Sequence, residues 1–313
     1  MDRVLDAIQA FWDTLASVQL LPLALGIACH VAKLACTSRA WRNVLAAAYP
    51  ADRVRWRSIF AAYAAGVGVN AVFPARAGDV VRLYLAHRAI PGATYTTLLA
   101  STLVLTMVDF ALALGLFAWA LTQDVLPGLD VLPSLPSFDF AWFLRHQLVS
   151  EFLLALLVVA LVVVAVWLHQ RMRDLRERVS QAFTVVRSPA RYARAVVFWQ
   201  LCDWGLRLAT IWFFLDAFGI EQSLRNVLLV QATASLATLV PVSPGGIGTE
   251  QAFLVYTLRG QAARTTLLAF SVGMKLTLTA VNVVVGFAAI LATLRTLRFR
   301  QATTPAADRG EGA

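Results

Sequence analysis

The chain has 313 residues, of which 59% are hydrophobic and only 14% charged, with a formal net charge of +9. Several stretches exceed the roughly 18 consecutive apolar residues that mark a spanning helix, which excludes a soluble globular protein. The basic residues fall in short stretches between apolar segments, where they orient a membrane protein, so no nucleic-acid partner is expected.

In chain order, residues 2–12 carry Val4, Leu5, Ile8, Phe11 and Trp12 at helical spacing, which predicts a short interfacial helix within an N-terminal segment 1–14. Asp2, Asp6 and Asp13 stand where a signal peptide would be positively charged. Residues 15–36 form a first span, followed by a basic loop with Arg39, Arg42, Arg53, Arg55 and Arg57 against a lone Asp52, expected on the cytoplasmic side. Residues 58–73 and 78–90 are each too short to span and read as a re-entrant hairpin from that side. Residues 94–121 cross outward, and 122–148, with three prolines and three aspartates, suit the outside. Residues 149–169 return inward to 171–194, where seven arginines meet two acids. Residues 195–218 cross outward, 226–258 form a second hairpin from outside, and 265–294 cross inward to Arg295, Arg298 and Arg300. Residues 298–313 form a polar tail expected to be disordered.

The organising stretch is L-V-P-V-S-P-G-G-I-G-T-E at 239–250. Two prolines and three glycines cannot continue one helix, and hydrocarbon tolerates such a break only beside protein or a wet cavity. A helix starting near Gly248 and Thr249 presents free N–H groups and a positive dipole end, a general anion site. A weaker copy, V-F-P-A-R-A-G-D at 72–79, aligns Pro74 with Pro241 and Gly78 with Gly245, and each copy has a carboxylate downstream, Asp79 and Glu250. Broken helices at matching places in two halves point to a transport site. Charge parity then predicts an all-α polytopic bundle of two inverted repeats, about 15–121 and 195–297, within one membrane domain 15–297.

Ionisable residues within apolar spans are costly and mark function or pairing. Asp109 and Lys275 lie mid-span, either as an ion pair across the bundle or lining a path. Asp203 and Arg207 are spaced for a local helix salt bridge. Asn70 and Asn282 are suited to linking helices. Cys29, Cys36 and Cys202, and His30, His87, His146 and His169, show no ligand spacing, so no metal is expected. No Ser-His-Asp order, Walker loop or dinucleotide fingerprint is present, and neither a catalytic residue nor a cofactor is expected.

The segments A-W-R-N-V-L (40–45), N-A-V-F-P-A-R-A-G-D-V-V-R-L-Y-L (70–85) and L-V-P-V-S-P-G-G-I-G-T-E (239–250) resemble the lysylphosphatidylglycerol synthase transmembrane, or flippase-like domain, family, which includes the membrane half of bacterial multiple peptide resistance factor. The resemblance runs from about residue 15 to 297. It implies movement of a lipid, often with a charged or modified headgroup, between leaflets. Some relatives are linked to isoprenoid-carried sugars or hopanoids. Bifunctional relatives carry a soluble aminoacyl-transferase domain after the membrane part. This sequence ends at Ala313 without one, so lysyl transfer is not implied. Many relatives also begin with an extra spanning helix, where this chain has only the 2–12 segment.

Arg76, Arg82 and the Gly245-Gly246 turn are expected to contact a lipid phosphate, because guanidinium forks and helix N-termini both suit phosphate, with Gly78, Pro244, Gly248 and Thr249 as further substrate-binding candidates. Asp79 and Glu250 are expected to meet a cationic or hydroxylated headgroup or to cycle a proton. The blander alternative is that they cap helices and neutralise arginines. Asn70, Asp109, Asp203, Arg207, Lys275 and Asn282 are the cavity-lining candidates. The expectation is a lipid translocase of the inner membrane, N-terminus outside and C-terminus cytoplasmic. Its partners are membrane lipids, with a second copy or a lipid-modifying enzyme left open. Two rivals are kept: a lipid-carrier transferase or phosphatase embedded in the membrane, and a non-catalytic subunit of an envelope-biosynthesis complex.

Overall fold

The computed structural model describes residues 17–73, 76–121, 179–239 and 249–303, and among these the chain is almost entirely helical. Helix α1 (Leu20–Ala48) has 29 residues, about 44 Å at 1.5 Å per residue. It therefore runs past the expected end of the span and carries Arg39 and Arg42 on the helix itself; the loop is only Tyr49–Arg55. Helices α2 (Trp56–Val72) and α3 (Ala77–Ala89) follow as a hairpin, and α4 (Tyr95–Leu121) is the next long helix. After a short 3-10 turn at Phe183–Val185, a one-turn helix α5 (Pro189–Tyr192) begins with proline at a first-turn position. It leads through a π-turn at Ala193–Val197 into α6 (Phe198–Ala217). Helices α7 (Leu224–Leu239) and α8 (Thr249–Thr257) form the second hairpin, and α9 (Arg264–Thr303) closes the bundle.

Helix α9 continues through Arg295, Arg298 and Arg300 to Thr303, so the first residues of the expected disordered tail are helical. The interfacial segment 2–12, the span 149–169 and the acidic stretch 122–148 lie outside the described residues. Among the described residues, three helices are long and apolar enough to cross a membrane: α1, α4 and α9. Much of their apolar surface faces outward: Leu99, Leu103, Phe110, Leu276, Val284 and Phe287 are all more than half exposed. Such a surface is stable in lipid and a liability in water.

Helices α1 and α6 run side by side and antiparallel. The Gln19 N–H donates to the Ala217 carbonyl at 3.0 Å at one end, and Asn43 Nδ2 donates to the Ala195 carbonyl at 2.8 Å near the other. That second end is basic. It gathers the close of α1, the starts of α2 and α4 and the 181–197 segment. Gln181 Nε2 donates to the Ala48 carbonyl (2.7 Å), and the Tyr49 hydroxyl accepts from the Thr94 N–H (3.1 Å). Each end has its own core: Trp41, Leu45, Ile59, Leu98 and Val196 at the basic end, and Phe214, Leu229, Leu254, Leu258 and Phe270 toward the other.

Lipid tails are as apolar as leucine, so helix association in a membrane depends on close packing, which small residues permit. Two glycine contacts serve this here. A Cβ added to Gly68 in α2 would lie 2.7 Å from the Gly286 Cα in α9, and one on Gly286 would lie 2.6 Å from the Gly68 Cα. Within the first hairpin, Gly78 packs directly on the Gly66 carbonyl oxygen, where a Cβ has no space.

Candidate functional site

The first hairpin turns at Arg76, which adopts a left-handed backbone (φ 58°) at the N-cap of α3. This conformation costs a non-glycine residue about 1 kcal/mol. The side chain is 88% exposed and its Nε lies 3.6 Å from Asp79 Oδ2. Asn70, in the last turn of α2, holds the turn from both sides: its Oδ1 accepts the Gly78 N–H at 2.8 Å, and its Nδ2 donates to Asp79 Oδ1 at 3.2 Å. Arg82, one turn further, reaches Asp79 Oδ1 at 3.6 Å and is largely buried. Its guanidinium sits over Trp41 (5.3 Å) and Tyr63 (5.8 Å), and its Nε has no hydrogen-bond partner.

Two guanidiniums thus face one carboxylate, a local excess of one positive charge with a buried donor unsatisfied. Such a donor costs about 1–3 kcal/mol until an acceptor arrives, and a phosphate oxygen is a suitable one.

In the second hairpin, Glu250 stands in the first turn of α8, and its Oε2 accepts from Lys275 Nζ of α9 at 2.7 Å. An ion pair between Asp109 and Lys275, one of the two readings the sequence left open, does not form. Asp109 Oδ1 instead accepts the Trp204 indole N–H at 2.9 Å, because α4 packs on α6 and α7 whereas α9 lies against α2 and α8. Thr249 opens α8; Pro244, Gly245, Gly246 and Gly248 lie outside the described residues.

The remaining candidates form separate links. Asp203 pairs with Arg207 at 2.9 Å on α6, as the spacing predicts, and accepts the Thr37 hydroxyl of α1 at 2.5 Å. Asn282 of α9 bonds His30 of α1 (2.8 Å), so Asn70 ties one hairpin together while Asn282 joins two long helices. Residue spacing did not reveal Trp41, Tyr63, Thr37 or Trp204, and it passed over His30 as a bonding partner. Each contacts a charged or amide side chain from another helix, and no local pattern records such a contact. Among the described residues, no group of three His, Cys, Asp or Glu side chains is placed to hold a metal ion.

Comparison with curated proteins and with solved structures yields no match. The family model described as the lysylphosphatidylglycerol synthase TM region matches residues 5–286. With that match covering most of its length, the chain belongs to the lysylphosphatidylglycerol synthase transmembrane family, a membrane protein tied to lipid metabolism.

Proposed function

We propose that the chain translocates a lipid headgroup between leaflets of the inner membrane along a polar route served by the two hairpins, with no covalent chemistry. The observation that carries this reading is Arg82, a largely buried guanidinium at the first hairpin, cradled by two aromatic rings, with an unsatisfied Nε. An anionic headgroup phosphate supplies the missing acceptor. Arg76 meets the same phosphate from the exposed side. Asp79 and the Glu250–Lys275 pair serve the remaining headgroup groups or a coupled proton.

The pattern of helix contacts supports a two-repeat architecture. Exchange α1 with α6, α2 with α7, α3 with α8 and α4 with α9. The packing of α2 on α9 becomes that of α7 on α4. The pairs α2–α3, α1–α2, α3–α4 and α1–α4 become α7–α8, α6–α7, α8–α9 and α6–α9, all of which occur. The first hairpin opens toward the basic end and the second toward the other, as an inverted repeat requires. The cytoplasmic side is then the basic end, which puts the C-terminus inside.

The test is leaflet exchange in proteoliposomes with fluorescent anionic and aminoacylated lipids. Wild type is expected to accelerate exchange, and Arg82→Gln and Glu250→Gln to lose most of it while remaining folded. Exchange equal to that of protein-free liposomes overturns the reading. Lipid turnover in detergent, where no leaflets exist, would favour the enzyme instead.

A further inference from the structure

A second concentration of positive charge lies away from both hairpin sites. Five arginines, Arg39, Arg42, Arg53, Arg55 and Arg57, line one pocket of about 310 Å³ at the basic end together with Trp56. Trp56 is 14 residues from Asn70 along α2, about 21 Å, so the pocket and the first-hairpin turn are distinct. Among the described residues, none of the five arginines makes an ion pair, whereas Arg76, Arg82, Arg207 and Lys275 each do. Membrane orientation requires only that basic residues be present on one side. It does not require five guanidiniums to line a single concavity in which, among the described residues, none pairs with a carboxylate, the adjacent Asp52 included.

The pocket is also held in place. The Arg39 guanidinium stands over Trp56 (5.8 Å) and Trp199 (5.9 Å), and Arg42 Nε donates to the Val54 carbonyl at 3.0 Å. Arg53, Arg55 and Arg57 are exposed and free to close on a ligand. Helix α2 starts at this pocket without a side-chain cap and with no acid in its first turn, which adds amide donors to the guanidiniums.

We infer that this pocket binds the phosphate of an anionic lipid from the leaflet at the basic end. Trp56, at the pocket wall and partly exposed, packs near Phe60 (5.8 Å). Aromatic residues of this kind mark the headgroup level of a bilayer, which favours a lipid phosphate over a free one. A second groove shares Arg42 and adds Arg191 and Arg194, extending the positive surface to a neighbouring headgroup. The inference does not rest on translocation.

Native mass spectrometry of the full chain released from detergent tests it, with phosphatidylglycerol, phosphatidylcholine and inorganic pyrophosphate as probes. Phosphatidylglycerol is expected to bind wild type far more tightly than phosphatidylcholine. The Arg53→Gln/Arg57→Gln variant should weaken it about 25-fold, roughly five-fold per arginine, with phosphatidylcholine unchanged. Arg259→Gln, an exposed arginine near the opposite end of the bundle, should leave binding unaltered. The inference is overturned by equal affinity for the two lipids, or by a double variant that keeps its preference. It is overturned also if pyrophosphate binds tightly while phosphatidylglycerol does not, which would mark a free-phosphate site.

Discussion

Arg76 combines two properties that can be separated by substitution: a left-handed backbone and an exposed guanidinium. Glycine occupies that conformation without penalty. Arg76→Gly is therefore expected to hold or slightly raise the melting temperature while lowering lipid exchange. A drop in stability with exchange intact would assign the residue a purely structural role. The Glu250–Lys275 pair behaves differently. Removing one partner leaves an uncompensated charge in a low-dielectric setting. Because Lys275 is 41% exposed, the cost of Lys275→Met is reduced to about 1–2 kcal/mol. Adding Glu250→Gln should restore part of the loss. Additive losses in the double-mutant cycle, read by thermal unfolding in one detergent, would mean that the two side chains do not interact.

At the scale of the helix, the two glycine contacts make a stronger prediction than any of the charges. Gly68 and Gly286 allow α2 and α9 to touch backbone to backbone, and α2 carries the first-hairpin site. Gly286→Val must push these helices apart, with an expected loss of about 1–3 kcal/mol as for other overpacked positions. The fall in melting temperature should be accompanied by weaker lipid exchange. An unchanged melting temperature would refute the close approach. Gly78 carries a related lesson. Its place in the P-A-R-A-G-D motif suggested a headgroup contact. Its position on the Gly66 carbonyl and its N–H bond to Asn70 show that it is needed at least for the hairpin itself. A motif glycine next to charged residues looks the same in sequence whether a ligand or a neighbouring backbone excludes its side chain.

For the whole molecule, the arrangement of ends gives a direct test. Arg57 lies at the basic end, beside the 181–197 segment bound to α1. Arg259 follows α8, close to where Asn226 bonds Gln261 at the start of α7. With Cys29, Cys36 and Cys202 replaced, a cysteine at position 57 should react with impermeant reagent only from the cytoplasm. One at position 259 should react only from outside. Labelling of both from the same side would overturn the proposed inverted arrangement of the hairpins.

The sequence by itself determined the class and the element order. Apolar runs of spanning length, interrupted by prolines, glycines and arginine clusters, leave a membrane-embedded helical chain few alternatives, because each unsatisfied backbone group in hydrocarbon costs several kcal/mol. Breaks at proline and glycine likewise placed the short helices α2, α3, α7 and α8, and helical spacing placed the local Asp203–Arg207 pair, whose partners are one helical turn apart. Only the tertiary structure decided the long-range partners: Lys275 with Glu250 rather than Asp109, Asp109 with Trp204, Arg82 between Trp41 and Tyr63, and five arginines gathered in one pocket. Local spacing encodes which face of a helix a residue occupies. Which other helix meets that face depends on packing across the bundle, and close approaches such as Gly68 against Gly286 set it.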